Sequence, residues 1–268
     1  MINWYDADGH LSENMVADFR QTLLTWYDES GRTHLPWRID KEPYHIWVSE
    51  IMLQQTQVET VIPYYERFLA ELPRVQDLAE ADEEVLLKLW SGLGYYSRIR
   101  NMQKAAQQVM ADFDGQFPTT SQDLQTLAGI GPYTAAAIAS ISFNEVVPAL
   151  DGNMFRVFAR LLKIKADIAQ PKSRKIFYDT ILPIVDPKRP GDFNQAVMDL
   201  GTSLMSAKTE TLSDSPFARF NLSYQEGLEL NFPVKSKKVK QVQKFYAAII
   251  SEKNGNLAYI QRPKTGLL

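Results

Sequence analysis

Leu127-Ala-Gly-Ile-Gly-Pro-Tyr-Thr-Ala135 is the stretch whose reading decides the fold. Gly129 and Gly131 can take backbone angles closed to other residues and so end one helix sharply. Pro132 suits the first position of the next helix, where no amide donor is needed. From Thr134 onward the chain is small and rich in Ala, so two helices can pack closely. The free amides of such a hairpin lie at a helix N-terminus and can hold a phosphate. An ordinary helix turn also uses Gly and Pro. The ordered combination of Leu, Gly-Ile-Gly, Tyr and Thr-Ala is more specific than that.

On both sides of the hairpin, from residue 11 to about 220, apolar residues recur at three- and four-residue spacing, as in Val16, Phe19, Leu23 and Leu24. Short breakers such as Glu42-Pro43, Gly92-Leu93-Gly94 and Pro187 to Gly191 separate the segments. There is no repeat and no low-complexity tract. This region is expected to be all-α. After residue 222 the character changes, with Lys235-Ser236-Lys237-Lys238-Val239-Lys240 reading as an exposed basic linker. Phe245 to Ile250 and Leu257 to Ile260, joined through Lys253-Asn254-Gly255-Asn256, predict a β-hairpin with Asn-Gly turn chemistry. A lone hairpin is marginal in water. The last 30 or so residues are therefore expected to open a second domain whose remainder lies outside this sequence.

Composition sets limits. The 268 residues hold no cysteine and 3 His, which excludes disulfides, thiolate nucleophiles and cysteine-held iron–sulfur clusters, and disfavours a His-rich metal site. The start, MINWYDADGH, lacks the basic segment and apolar core of a signal peptide. The most aliphatic stretch, Ala135 to Phe143, is far short of the roughly 20 residues of a membrane helix. A cytoplasmic protein without a membrane partner is expected. The net charge of −3 hides an asymmetry: residues 1–90 carry 7 Lys and Arg against 17 Asp and Glu, while residues 91–268 carry 22 against 15. Phosphate binding follows the local field, so a basic face is open to this chain, as is a merely uneven solvated surface.

Four further motifs surround the hairpin in order: Leu35-Pro-Trp-Arg38, Trp47-Val-Ser-Glu-Ile-Met-Leu-Gln-Gln-Thr-Gln57, Gly92-Leu-Gly-Tyr-Tyr-Ser-Arg98 and Leu150-Asp-Gly-Asn153. Together the five resemble the MutY family of adenine DNA glycosylases, in the helix–hairpin–helix superfamily with a Gly/Pro-rich loop followed by an Asp. The resemblance runs from about residue 11 to 220. It implies a two-lobed fold with a cleft between the lobes: a six-helix lobe over residues 30–143 containing the hairpin, and a second helical lobe over 1–29 and 144–222. A linker over 223–240 and the opening of a Nudix-like, 8-oxoguanine-recognising α/β domain over 241–268 would follow. The implied partner is double-stranded DNA carrying adenine opposite 8-oxoguanine, bound by a monomer, associated with the nucleoid in a bacterium.

Breaking a purine N-glycosidic bond needs an acid for the leaving base and an anion near the developing sugar cation. Two carboxylates in different environments supply this. Glu50 lies among Ile46, Trp47 and Ile51, where desolvation would keep it protonated. Asp151 precedes Gly152-Asn153 at a predicted helix start, where amide hydrogen bonds would favour its ionised form. Alone, Glu50 reads as a surface helix residue and Asp151 as an N-cap. By resemblance, Glu50 protonates adenine N7 and later activates water, Asp151 stabilises the sugar cation, and Asn153 positions the Asp and the water. Relatives that also cut the strand place a Lys at position 133 as a Schiff-base nucleophile. Tyr133 cannot form that imine, which implies a monofunctional enzyme. The resemblance makes Gln55, followed by Thr56, a wedge near the extruded adenine, and inserts Tyr95 beside the 8-oxoguanine. Leu35, Trp37 and Arg38 would line the pocket, although core packing is the more common place for a Trp. Gly129, Gly131 and Thr134 would meet the DNA at the hairpin.

One departure stands out. Where most of the family has four cysteines holding a [4Fe–4S] cluster, the aligned positions fall on Met205, Leu212, Ser215 and Asn221. No cofactor is expected, apart from a monovalent ion on the hairpin carbonyls, and the segment is expected to be held by Met205, Leu212, Phe217 and Phe220. Two other functions stay open on the residues alone: a glycosylase of the same superfamily with another base specificity, and a DNA-binding relative that has lost catalysis.

Overall fold

In the computed structural model, residues 4–6, 8–207 and 215–236 are described, together with the backbone of two short strands. The order is α1 (Glu13–Ser30), α2 (Pro43–Met52), α3 (Val58–Glu71), α4 (Val75–Glu80), α5 (Glu83–Leu89), α6 (Ser97–Asp112), α7 (Ser121–Leu124) and α8 (Pro132–Phe143). Then come α9 (Gly152–Leu162), α10 (Ser173–Ile181), α11 (Pro190–Thr202) and α12 (Leu222–Gln225). The helical reading of the sequence holds.

Two hydrophobic cores organise residues 4–236. The first gathers buried residues from Leu35 to Ala149, around Trp47, Phe68 and Trp90. Seven helices, α2 to α8, lie in this stretch rather than six, because the single turn of α7, capped by Thr120, stands as a helix of its own. The second core gathers the buried face of α1 and buried residues between Leu150 and Phe232, around Phe158, Phe193 and Phe217. The α1 helix starts at Ser12, whose side chain accepts from Met15 N (3.4 Å), and its buried Val16, Phe19, Leu23, Leu24 and Tyr27 share one face. That face packs against α11.

The cores meet where α8 approaches α11. A Cβ on Gly191 would lie 2.6 Å from Ile141 Cα, so only glycine permits this spacing. Three residues on, buried Asn194 donates to Ser140 Oγ (2.8 Å) and Val147 O (2.9 Å) and accepts from Ala149 N (3.0 Å). These bonds fix the extended segment that delivers Asp151.

The expected linker starts too early. Ser223 and Phe232 are buried, Asn221 caps α12 by accepting from Tyr224 N (3.0 Å), and Ile168 N donates to Val234 O (3.0 Å). Residues 223–236 thus belong to the second core, because Phe232 supplies apolar surface that a linker would leave in water. Residues 237–240 lie outside the described residues.

Residues 237–268 form a separate unit. In it, Glu252–Lys253 and Asn256–Leu257 pair antiparallel, with Glu252 opposite Leu257 and Lys253 opposite Asn256. This ladder sits closer to the Asn-Gly pair than the expected strands, of which 245–250 and 258–260 lie outside the described residues. Among the described residues, no helix is long and apolar enough to cross a membrane.

Candidate active site

Both cores contribute walls to one cavity of about 230 Å³. Residues 35–133 supply Leu35, Trp37, Arg38, Glu50 and Tyr133; residues 151–198 supply Asp151, Gln195 and Met198, the last reaching across from α11 to pack against the first core. Among the sequence candidates, six therefore converge here: Leu35, Trp37, Arg38, Glu50, Tyr133 and Asp151. Gln54, beside Gln55, also reaches the cavity.

Glu50 sits on α2, one turn from Ile46 and Trp47, and is 8% exposed. Burial pushes its carboxyl up to about 7, the nearby Tyr133 hydroxyl and the Arg38 charge pulling down, the Asp151 charge pushing up. Near neutral pH the group holds a proton for much of the time. Tyr133 stands in the first turn of α8 with its hydroxyl 3.8 Å from Met198 Sδ, and burial holds that hydroxyl well above the ordinary tyrosine range.

Asp151 is the N-cap of α9. Its Oδ1 accepts from Met154 N (2.7 Å) and its Oδ2 from Asn153 Nδ2 (2.7 Å). Asn153 is fixed in turn, its Oδ1 accepting from Arg156 Nη2 (2.6 Å), while the same nitrogen reaches Gly201 O (2.7 Å). The expectation that these bonds dominate needs correction. Burial raises the Asp151 carboxyl more than the amide and Asn153 hydrogen bonds lower it, so its pKa stands above the usual carboxylate value in the free protein.

Arg38 faces the cavity, but its guanidinium is already engaged. It forks onto Asp199 of α11, with Nη1 to Oδ2 at 2.6 Å and Nη2 to Oδ1 at 3.1 Å. Arg32 adds Nε to Oδ1 (2.7 Å) and its backbone N to Oδ2 (2.9 Å). Burial raises Asp199, but these partners outweigh it and leave the carboxyl below its ordinary value. Arg38 is thus first a tie between the cores. Trp37, 5% exposed and edge-on to Tyr65 at 5.5 Å, is chiefly a core residue that also closes the cavity wall.

The remaining candidates lie outside the cavity, most of them at the protein surface. Gln55 and Tyr95 are exposed and both have left-handed backbones, with φ of 61° and 46°. Thr56 is half-buried, its hydroxyl donating to Gln54 O at 3.4 Å. Gly129 has φ of +77°, and a Cβ there would lie 2.8 Å from Asn101 Cβ. Gly131, by contrast, is ordinary extended backbone at φ −88°, open to any residue, because α8 needs only an extended N-cap before Pro132. Thr134 is buried at 2% exposure, so its side chain packs inward rather than toward a ligand.

The four aligned cluster positions do not fit a cluster. Met205 is fully buried in the second core, and Asn221 is spent on Tyr224 N and on Glu229, to which its Nδ2 donates (3.0 Å). Ser215 is half-buried, and Leu212 lies outside the described residues. None is a thiolate. Aromatic packing holds this region instead: Phe220 lies edge-on to Phe19 (5.4 Å), Phe217 edge-on to Trp26 (5.5 Å), and Trp4 Nε1 donates to Phe220 O (2.8 Å). Arg156 Nε donates to Met205 O (2.9 Å) and Arg160 Nη1 to Ser206 O (2.9 Å).

Sequence reasoning missed Gln195, Met198 and Asp199. A signal was available for Asp199, which interrupts an apolar run (Ala196, Val197, Met198, Leu200) in mid-helix, where a charge is buried only when partnered. Gln195 and Met198 carry no such mark.

A helix, a tight Gly/Pro hairpin, a second helix and an Asp beyond it, flanking a cavity between two helical cores, define the helix–hairpin–helix DNA glycosylase class. Residues 48–181 match the HhH-GPD superfamily of base excision DNA repair proteins. The adenine DNA glycosylase of Mus musculus is 45% identical over 219 residues, covering 78% of this chain and 42% of the relative. That of Buchnera aphidicola subsp. Baizongia pistaciae is 39% identical over 238 residues, covering 88% of this chain and 67% of the relative. A thermostable thymine-DNA glycosylase superposes with a TM-score of 0.70 at 22% identity, over 80% of this chain and 98% of that one, a likeness of fold. The chain belongs to the adenine DNA glycosylase family within the HhH-GPD superfamily, and spans less than half the length of the mouse relative.

Proposed function

We propose that this chain is a monofunctional DNA glycosylase of base excision repair. It hydrolyses the N-glycosidic bond of adenine mispaired with 8-oxoguanine or guanine in duplex DNA, acting as a monomer without an iron–sulfur cluster. One observation carries the reading: a cavity between the cores holds a buried carboxyl with a pKa of about 7, Glu50, and a second carboxyl at a helix N-cap, Asp151.

Protonated Glu50 donates to N7 of an adenine turned into the cavity. The C1′–N9 bond breaks, its electron pair leaving with the base. Asp151, as carboxylate, faces the cationic sugar, whose charge favours the ionised form against burial. Glu50, now ionised, takes a proton from a water whose oxygen attacks C1′. The products are adenine and an abasic site. Tyr133 orients the Glu50 carboxyl, and Asn153, fixed by Arg156, orients Asp151. Gln55 and Tyr95 fill the gap that the extruded base leaves. The segment after residue 241 contributes to 8-oxoguanine recognition.

Duplexes carrying A:8-oxoguanine, A:G or an oxidised pyrimidine, incubated with the protein and treated with alkali, test this. Strand scission at adenine in the first two is expected, and none with Glu50→Gln. Scission at oxidised pyrimidines would favour another base specificity, and none anywhere a binding protein. Borohydride trapping of a stoichiometric covalent complex would refute the monofunctional assignment.

A further inference from the structure

Arg98, in the first turn of α6, sits between the loop after α2 and the loop before α6. Its Nη1 donates to Ile51 O (2.8 Å), Met52 O (3.3 Å) and Gln54 O (2.7 Å). Its Nη2 donates to Leu93 O (2.9 Å) and Gly94 O (3.3 Å). One side chain thus holds the residue before Gln55 and the residue before Tyr95. Its Cζ also lies 5.3 Å from the Trp90 ring and 5.8 Å from the Tyr95 ring.

Gln55 and Tyr95 are exposed residues in left-handed backbone, a conformation that bulky side chains avoid unless their surroundings impose it. Bonds from one guanidinium to the preceding carbonyls are such an imposition. The arrangement also leaves Arg98 Nε buried with no hydrogen-bond partner, a feature that serves the two loops rather than the arginine itself. Arginine suits the task because its planar fork reaches two loops at once, whereas a lysine offers a single point charge.

We infer that Arg98 is a positioning residue that couples the Gln55 and Tyr95 loops, so that both side chains enter the DNA together during base extrusion. This rests on the glycosylase reading given above. Arg98 acts before the chemical step and does not touch the cavity that holds Glu50.

The test compares single-turnover excision of adenine from an A:8-oxoguanine duplex with excision of an unpaired adenine in a bulge, which needs less extrusion. Arg98→Lys is expected to slow the first by about tenfold or more, the scale of one lost charge-assisted hydrogen bond, and the second much less. Equal slowing on both substrates would overturn the proposal, since a general structural defect acts on each alike. A second measurement does not need that variant to fold. In the otherwise native chain, the losses caused by Gln55→Ala and Tyr95→Ala should be non-additive on the mismatched duplex. Strict additivity would also overturn the coupling. If the unaltered chain excises adenine from neither duplex, the glycosylase reading itself fails, a result distinct from either of these.

Discussion

Glu50 and Asp151 face one cavity from two different regions. Glu50 is set mainly by exclusion of water: it lies on α2 against the first core, and burial, helped by the Asp151 charge and opposed by Tyr133 and Arg38, drives its carboxyl up to about 7. Asp151 is half-buried at the edge of the second core, and it is held by Met154 N and Asn153 Nδ2, which oppose the effect of burial. The first environment favours a neutral acid. The second has the donors of a carboxylate already in place and lacks only a cation. Where a carboxyl sits in the fold therefore decides which half of the chemistry it suits.

The regions are held by similar means: both are apolar clusters tied by arginines to backbone carbonyls, Arg98 in the first and Arg156 and Arg160 in the second. What is particular to the second is the aromatic packing of Trp4, Phe19, Phe217 and Phe220 beside aligned cluster positions that carry no thiolate.

Substitutions can break this comparison, starting with the greatest effect. Glu50→Gln should lower single-turnover excision by about 10³-fold or more, the scale of general acid–base catalysis, while DNA binding measured by fluorescence anisotropy persists. Phe220→Ala should destabilise the second core by about 3–5 kcal/mol in urea unfolding, and chelators should leave the melting temperature of the unaltered protein unchanged. A marked fall in stability on chelation would mean that a metal holds the region after all.

The stability of Glu50 itself depends on pH. Its folded pKa of about 7 lies above the 4.5 of an ordinary exposed glutamate, so the folded state binds the extra proton between those values. Its contribution is full below about 4.5 and lost as pH rises through about 7, a change of about 3 kcal/mol. Glu50→Gln, which stays neutral, should gain stability on the unaltered protein between pH 5 and pH 8, and a constant difference would contradict the assignment. Asp151→Asn should show a smaller change in stability, about 1 kcal/mol, because Asn keeps the cap on Met154 N but presents an NH2 to the Asn153 Nδ2 donor. Its excision rate should still fall about 10²-fold with the lost charge.

Much of this architecture is legible from residue pattern. The helices follow from three- and four-residue apolar spacing, and the hairpin from Gly129 and Pro132, whose conformations few other residues share. Glu50 stands out as a carboxyl among apolar neighbours. What local pattern does not carry are contacts between distant segments. Asp199 meets Arg38 across 161 positions, and Trp4 meets Phe220 across 216. Gln195 and Met198 enter the cavity only because Gly191 lets α11 lie against α8. The direction of the Asp151 shift needs burial, which a helix-start motif does not encode. The linker boundary failed for a related reason: Phe232 finds its core only in three dimensions.

The central claim is that burial keeps Glu50 protonated for catalysis. Single-turnover excision of adenine opposite 8-oxoguanine, followed from pH 5 to 9, tests it most directly. The account predicts a rate that declines as pH rises through about 7, as Glu50 loses its proton, and a near-complete loss of excision in Glu50→Gln. A rate independent of pH across that range, or a Glu50→Gln variant that excises at the native rate, would contradict it.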